Sequence, residues 1–115
     1  MKPDVVLVLC TAPATAVEGH LGAEELALAV VEEGLCACVN VVPGVRSFFR
    51  WQGRVDQAEE RLLVAKTTAA AAGRLRQRLV ELHPYDLPEV IEVAVADGLE
   101  AYLQWVADAV APPPS

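Results

Sequence analysis

Residues 36–67 read CACVNVVPGVRSFFRWQGRVDQAEERLLVAKT, and the fold turns on this stretch. Cys36–Trp51 is rich in Val, Phe and Trp. Val45, Ser47, Phe49 and Trp51 alternate against Arg46, Phe48 and Arg50, the period of a strand. Gln52-Gly53 supplies a two-residue hairpin turn. Arg54–Thr67 returns as a second strand, polar at its start (Asp56, Gln57, Glu59, Glu60) and apolar at its end (Leu62–Ala65). Sixteen extended residues at ~3.3 Å each span about 53 Å, whereas a compact domain of this length is roughly 35 Å across. The hairpin must either bend at Pro43-Gly44 or project beyond its own domain. Projection leaves Phe48, Phe49 and Trp51 in water unless another chain covers them, so a subunit contact is expected through the hairpin Cys36 to Thr67.

Working outward, Val5–Leu9 is an unbroken apolar run within Pro3–Thr11 and predicts a strand buried on both faces. Ala12–Gly22, with Pro13, Gly19 and Gly22, predicts a loop. Ala23–Glu33 carries Leu26, Ala29, Val30 and Glu33 at helical spacing, and Gly34 stands where a C-cap residue belongs. Thr68 can cap a second helix running to Leu82, with Leu75, Leu79 and Leu82 inward and Arg74, Arg76 and Arg78 outward. Pro84 forces His83 out of helical geometry. Val90–Ala96 predicts a fourth strand. Asp97 and Glu100 have capping-box spacing before a last helix, Leu99–Val110. The order is βαββαβ plus a terminal helix. The expected fold class is α+β: a ferredoxin-like plait with an antiparallel sheet and an additional C-terminal helix, in one domain over residues 1–110. Residues 111–115, with three prolines, are expected to be a disordered tail.

The chain has 115 residues, room for one domain. Ala, Val and Leu number 19, 18 and 14, and 54% of residues are apolar, which excludes intrinsic disorder. A net charge of −7 argues against a nucleic-acid partner, which needs a basic surface, and against an anionic membrane. No run approaches the ~20 apolar residues of a membrane span. The apolar run after Lys2 is shorter than a signal peptide's usual core, so the expected location is cytoplasmic. Three cysteines cannot all pair within one chain, and free thiols fit a reducing compartment.

The ordered words of the sequence add a resemblance. They are Val8-Leu9-Cys10-Thr11-Ala12-Pro13, Cys36 through Val45, Trp51-Gln52-Gly53, Lys66-Thr67-Thr68, His83-Pro84-Tyr85 with Pro88-Glu89, and Tyr102-Leu103-Gln104-Trp105. Together they resemble the divalent-cation-tolerance protein CutA family over almost the whole chain. The resemblance implies a homotrimer of ferredoxin-like subunits with hairpins engaging their neighbours, and a non-enzymatic role in tolerance of copper or other divalent cations. The chain departs from the family in two places. The loop Ala14–Gly22 is longer than the family's acidic connection, and Leu82-His83 stands where some metal-binding relatives carry two adjacent histidines.

Three residues are the candidate metal ligands. Cys10 matches the family's proposed metal cysteine, and as a thiolate it would prefer Cu(I) or Zn. His83 offers imidazole, the commonest ligand of copper and zinc, although a histidine at a helix C-terminus also has an electrostatic reason to be there. Cys38 matches a family word and shares a strand face with Cys36; ordinary packing is the simpler explanation for both thiols. Glu89, Lys66 and Tyr102 also fall in family-like words, with ion pairing or packing as the simpler explanation. No organic cofactor is expected, and no catalytic triad, P-loop or dinucleotide-binding turn is legible. A different class of function would be a trimeric small-molecule or nucleotide sensor resembling the PII proteins, with Lys66, Arg74 and the loop Ala14–Gly22 reaching an anion. A third would be a trimeric scaffold for an unknown partner protein.

Overall fold

The computed structural model describes residues 2–15 and 19–112. In chain order the elements are β1 (Val5–Ala12), α1 (Ala23–Glu32), β2 (Cys38–Trp51), β3 (Arg54–Thr68), α2 (Ala69–Leu82), β4 (Val90–Ala94) and α3 (Glu100–Ala109). The strands form one antiparallel sheet in the order β2-β3-β1-β4, so β3 inserts between the first two strands as a split βαβ requires.

Local chemistry sets the helix ends. Glu24 and Glu25 lie in the first turn of α1, where carboxylates favour the positive end of the helix, and the Glu25 side chain accepts from the Gly22 N–H at 3.2 Å. Gly34 takes φ +73°. This lets its own N–H reach the Val31 carbonyl (3.0 Å) and the Leu35 N–H reach that of Val30 (3.1 Å), a Schellman closure. Thr68 caps α2 by accepting from the Ala71 N–H at 3.2 Å, and α2 stops at His83, whose ψ of 142° is what the following proline demands.

β1 directs Val6, Val8, Cys10 and Ala12 to one face, where they meet Leu63 and Ala65 of β3, Leu26 and Val30 of α1, and Leu75 and Leu79 of α2. Ala27 and Ala72, both buried, let the helices approach this core closely. The added helix α3 lies on the opposite face, with Leu103 and Val106 against Val5. It covers one end of that face. Leu9, Val64, Ile91 and Val93 share the rest, and Ile91 and Val93 are exposed.

The hairpin does both things its length allows. The β2–β3 register shifts between Val42 and Val45, with Gly44 at φ +76°, so the ribbon bulges and bends at Pro43-Gly44. It then continues outward, stretching the molecule to 47 × 28 × 22 Å. Gln52 (φ 49°) and Gly53 (φ 77°) close it with the left-handed pair of a type I′ turn. Phe48, Phe49 and Trp51 remain 67%, 40% and 46% exposed along the ribbon.

Two sequence expectations need correction. β2 starts at Cys38, because Cys36 is drawn into the core under α1 and α2. Asp97 does not cap α3: its carboxylate accepts from the Gly98 N–H (2.8 Å) and pairs with Lys2 (2.5 Å), so the helix begins after Leu99 without a side-chain cap. At the start of the tail the Ala111 N–H donates to the Gly34 carbonyl at 2.8 Å. Residues 113–115 of that tail, and 16–18 of the long loop, lie outside the described residues.

Candidate functional site: the root of the hairpin

The sheet end where β1 finishes collects the residues the sequence singled out. β1 ends beyond Thr11, α2 delivers His83 to the same place, and the turn into β4 carries Tyr85 and Glu89. β3 contributes Glu60, paired with Val45 just past the bulge.

His83 is buried, and its ring has a partner on each nitrogen. Nε2 lies 2.7 Å from the Thr11 carbonyl oxygen, which can only accept, so Nε2 carries the proton. Nδ1 accepts from the Tyr85 N–H at 3.1 Å, so it carries the lone pair. The ring is therefore neutral and of defined tautomer. Burial holds its pKa below the usual histidine value, opposed by the bond to Thr11 and by Glu60. The Tyr85 ring lies against that of His83 (centroids 4.7 Å apart, planes at 55°), and its hydroxyl donates to Glu60 Oε2 at 3.1 Å. Burial, then the Glu60 carboxylate, pushes the Tyr85 phenol up to about 12.

Cys10 lies near this cluster on the helix-covered face and is fully buried. Desolvation, with the Glu89 and Glu60 carboxylates adding, pushes its thiol up to about 12, and Sγ points at the Thr11 carbonyl, 3.7 Å away. At neutral pH it is a thiol, and a metal ion binding there would have to displace that proton. Cys36 is similarly sealed and pushed up to about 12, by burial and then by Cys38. Cys38 pairs with Lys66 across β2–β3 on the opposite face, half-buried, with Lys66 Nζ 3.8 Å from its sulfur and also bonded to Asn40 Oδ1. Tyr102 of α3 adjoins it, its phenol raised by burial and by Cys38.

The structure thus brings Cys10 and His83 to one region and places Cys38 across the sheet. As a donor set for copper or zinc, Cys10 and His83 do not fit as arranged: Cys10 is sealed in the core, and both His83 nitrogens are engaged by backbone groups. Among the described residues, no group of three or more His, Cys, Asp or Glu side chains gathers closely enough to hold a metal ion. Lys66 and Arg74, expected together around an anion, lie on opposite sides of the sheet, Arg74 with its helix over the core and its buried Nε unpartnered among the described residues.

Glu60 and Tyr85 acquire importance that the sequence reading did not give them. The buried positions of β3 run at Leu63, Ala65 and Thr67, and Glu60 falls out of that alternation within a polar stretch. No spacing in the sequence marks it. Tyr85 had one signal, its place directly after His83-Pro84.

Fold and site define an α+β plait with a projecting hairpin, an uncovered sheet face and a His–Tyr–Glu cluster, His83 and Glu60 buried and Tyr85 exposed, where the hairpin departs. The chain belongs to the CutA1 divalent ion tolerance protein family, whose profile matches residues 6–109. It is 45% identical over 100 residues to a divalent-cation tolerance protein CutA of Thermus thermophilus, covering 87% of this chain and 92% of that one. It matches protein CutA of Homo sapiens at 40% identity over 84 residues, where it spans 47% of the relative's length. Among solved structures, CutA1 from Oryza sativa superposes with a TM-score of 0.87 at 32% identity, covering 97% of this chain and 98% of that one. A structure described as the PII-like protein CutA from Nostoc sp. PCC 7120 superposes at 0.83 and 33% identity, covering 92% and 97%.

Proposed function

We propose that this chain acts in divalent-cation tolerance as a non-catalytic homotrimer, assembled through the hairpin Cys36 to Thr67 and the open face of the sheet. The observation that carries this is uncovered apolar surface in two separate places. One is the aromatic end of the ribbon; the other is the sheet face of Leu9, Val64, Ile91 and Val93. Patches of this kind mark interaction surfaces. The two surfaces differ, so a hairpin of one subunit laid on the face of the next makes a head-to-tail contact, which closes only as a ring. The resemblance to the family supports a ring of three.

For a soft cation such as Cu(I) or Zn(II), the accessible donor is Cys38, half-buried on the open face with the Lys66 ammonium beside it, since Cys10 and Cys36 are sealed. A cytoplasmic location is supported by three free thiols. No helix among the described residues is long and apolar enough to cross a membrane, while one structural neighbour, from Archaeoglobus fulgidus, is described as periplasmic. Native mass spectrometry of protein purified without chelators reads subunit number and retained metal together. A trimer is expected; a monomer at micromolar concentration overturns the proposal.

A second reading, sensing of a small anion, draws on the PII-like description of the Nostoc neighbour and on the Lys66 ammonium at the open face. Arg74 cannot join Lys66 around one ligand within a chain. A thermal-shift screen with nucleotides separates the two readings, because only a sensor is stabilised.

A further inference from the structure

We propose that His83 and Tyr85 are positioning residues: together they clamp the root of the hairpin to the sheet, and His83 holds no metal ion. The clamp has three grips. His83 Nε2–H donates to the Thr11 carbonyl at the end of β1 (2.7 Å), and the Tyr85 N–H returns to His83 Nδ1 (3.1 Å). The Tyr85 hydroxyl donates to Glu60 on β3 (3.1 Å). Glu60 sits opposite Val45, the first β2 residue beyond the bulge, where the ribbon leaves the body. One short turn, 83–85, therefore ties β1 to β3 at the point where the free hairpin begins, and ring contact between His83 and Tyr85 stiffens the link.

Metal capture and this clamp exclude one another. A cation at Nδ1 would displace the Tyr85 N–H. A cation at Nε2 would need the other tautomer, which takes the proton away from Thr11 and leaves that carbonyl without this partner. Either route leaves a partly buried backbone group unsatisfied. Nearby Cys10 offers no compensation, being sealed in the core beneath the helices. The single histidine at the end of α2 is thus accounted for by architecture, and cation tolerance must use other groups.

The test reads the clamp and the metal separately on the full-length protein. Long-range 1H–15N spectra of the His83 ring should show the Nε2–H tautomer at pH 7 and should not change on adding a molar equivalent of Zn(II). A shift or loss of the His83 ring signals with zinc overturns the proposal. Hydrogen exchange then reports the hairpin root. Tyr85→Phe and His83→Ala should speed amide exchange around Val45 and Glu60 by about five- to tenfold, the effect of one lost hydrogen bond. His83→Gln, which keeps a donor at the Nε2 position and an acceptor beside it, should restore much of the protection. Unchanged exchange in both disruptive variants overturns the clamp, as does zinc affinity that falls in His83→Gln. Subunit number is measured on the same samples, so loss of assembly is seen separately from loss of the clamp.

Discussion

Replacing Trp51 by serine puts the assembly proposal at risk more directly than any other single change. Trp51 stands on the ribbon beside the turn, outside the core, and is 46% exposed in the isolated subunit. A large aromatic offers roughly 200–250 Å², so about 100 Å² is available for a neighbour to cover. At ~25 cal/mol per Å² that is about 2.5 kcal/mol per subunit. A ring of three loses it three times, about 8 kcal/mol, or between five and six powers of ten in the association constant. The concentration at which a trimer half-dissociates follows the square root of that constant, so the midpoint should rise on the order of 1,000-fold. The subunit fold should survive, because Trp51 is outside the core and the Gln52-Gly53 turn is untouched. Mass photometry and light scattering over a dilution series measure the midpoint. Leu28→Ser is the control: it is equally apolar and 59% exposed, but on α1, on the far side of the sheet. If Trp51→Ser dissociates at the same concentration as the parent, the hairpin end is not covered by a neighbour and the reasoning fails.

Other expectations concern the fold that carries the site. Thr67 is fully buried and its hydroxyl donates to the Leu35 carbonyl at 2.7 Å, so Thr67→Val, which fills the same space, should cost about 1–3 kcal/mol in urea denaturation; a neutral result would show that the bond adds no net stability. Gly34→Ala should cost about 1–3 kcal/mol, because the residue sits at φ +73° and an added Cβ would come 2.8 Å from that of Ala111, a change readable as a lowered melting temperature at fixed protein concentration. The pH dependence follows from His83. Its folded pKa is lowered, so from about 6.5 down through that folded value the unfolded chain binds the extra proton and stability declines; above 6.5 His83 adds no slope. Urea titrations at pH 7.5 and 5.5 should show a larger loss for the parent than for His83→Gln, and equal losses would contradict the buried neutral ring.

Much of the architecture was legible in residue order because its signals are local. Alternation along Val45–Trp51, the Gln52-Gly53 turn, the Thr68 cap, the Gly34 stop and the His83-Pro84 break each act within a few residues, and each appears in the structure where the sequence puts it. Asp97 shows the limit of such signals. Its capping spacing is present, but Lys2, near the other end of the chain, competes for the carboxylate. The family was equally legible, because it rests on the order and spacing of short words.

The sequence by itself determined the set of elements, the long hairpin and the chemistry available: three thiols, two histidines and an acidic surface. Only the tertiary structure decided what those groups can do. Cys10 and Cys38 sit on strands that read alike in isolation, yet pairing register sends one under the helices and the other to the open face. Burial then keeps Cys10 protonated. His83 could have been a ligand by its residue type, until the Thr11 carbonyl and the Tyr85 N–H took both its nitrogens. These outcomes depend on contacts between residues far apart in the chain, on the dielectric they create and on which lone pairs they leave free. No local pattern encodes that.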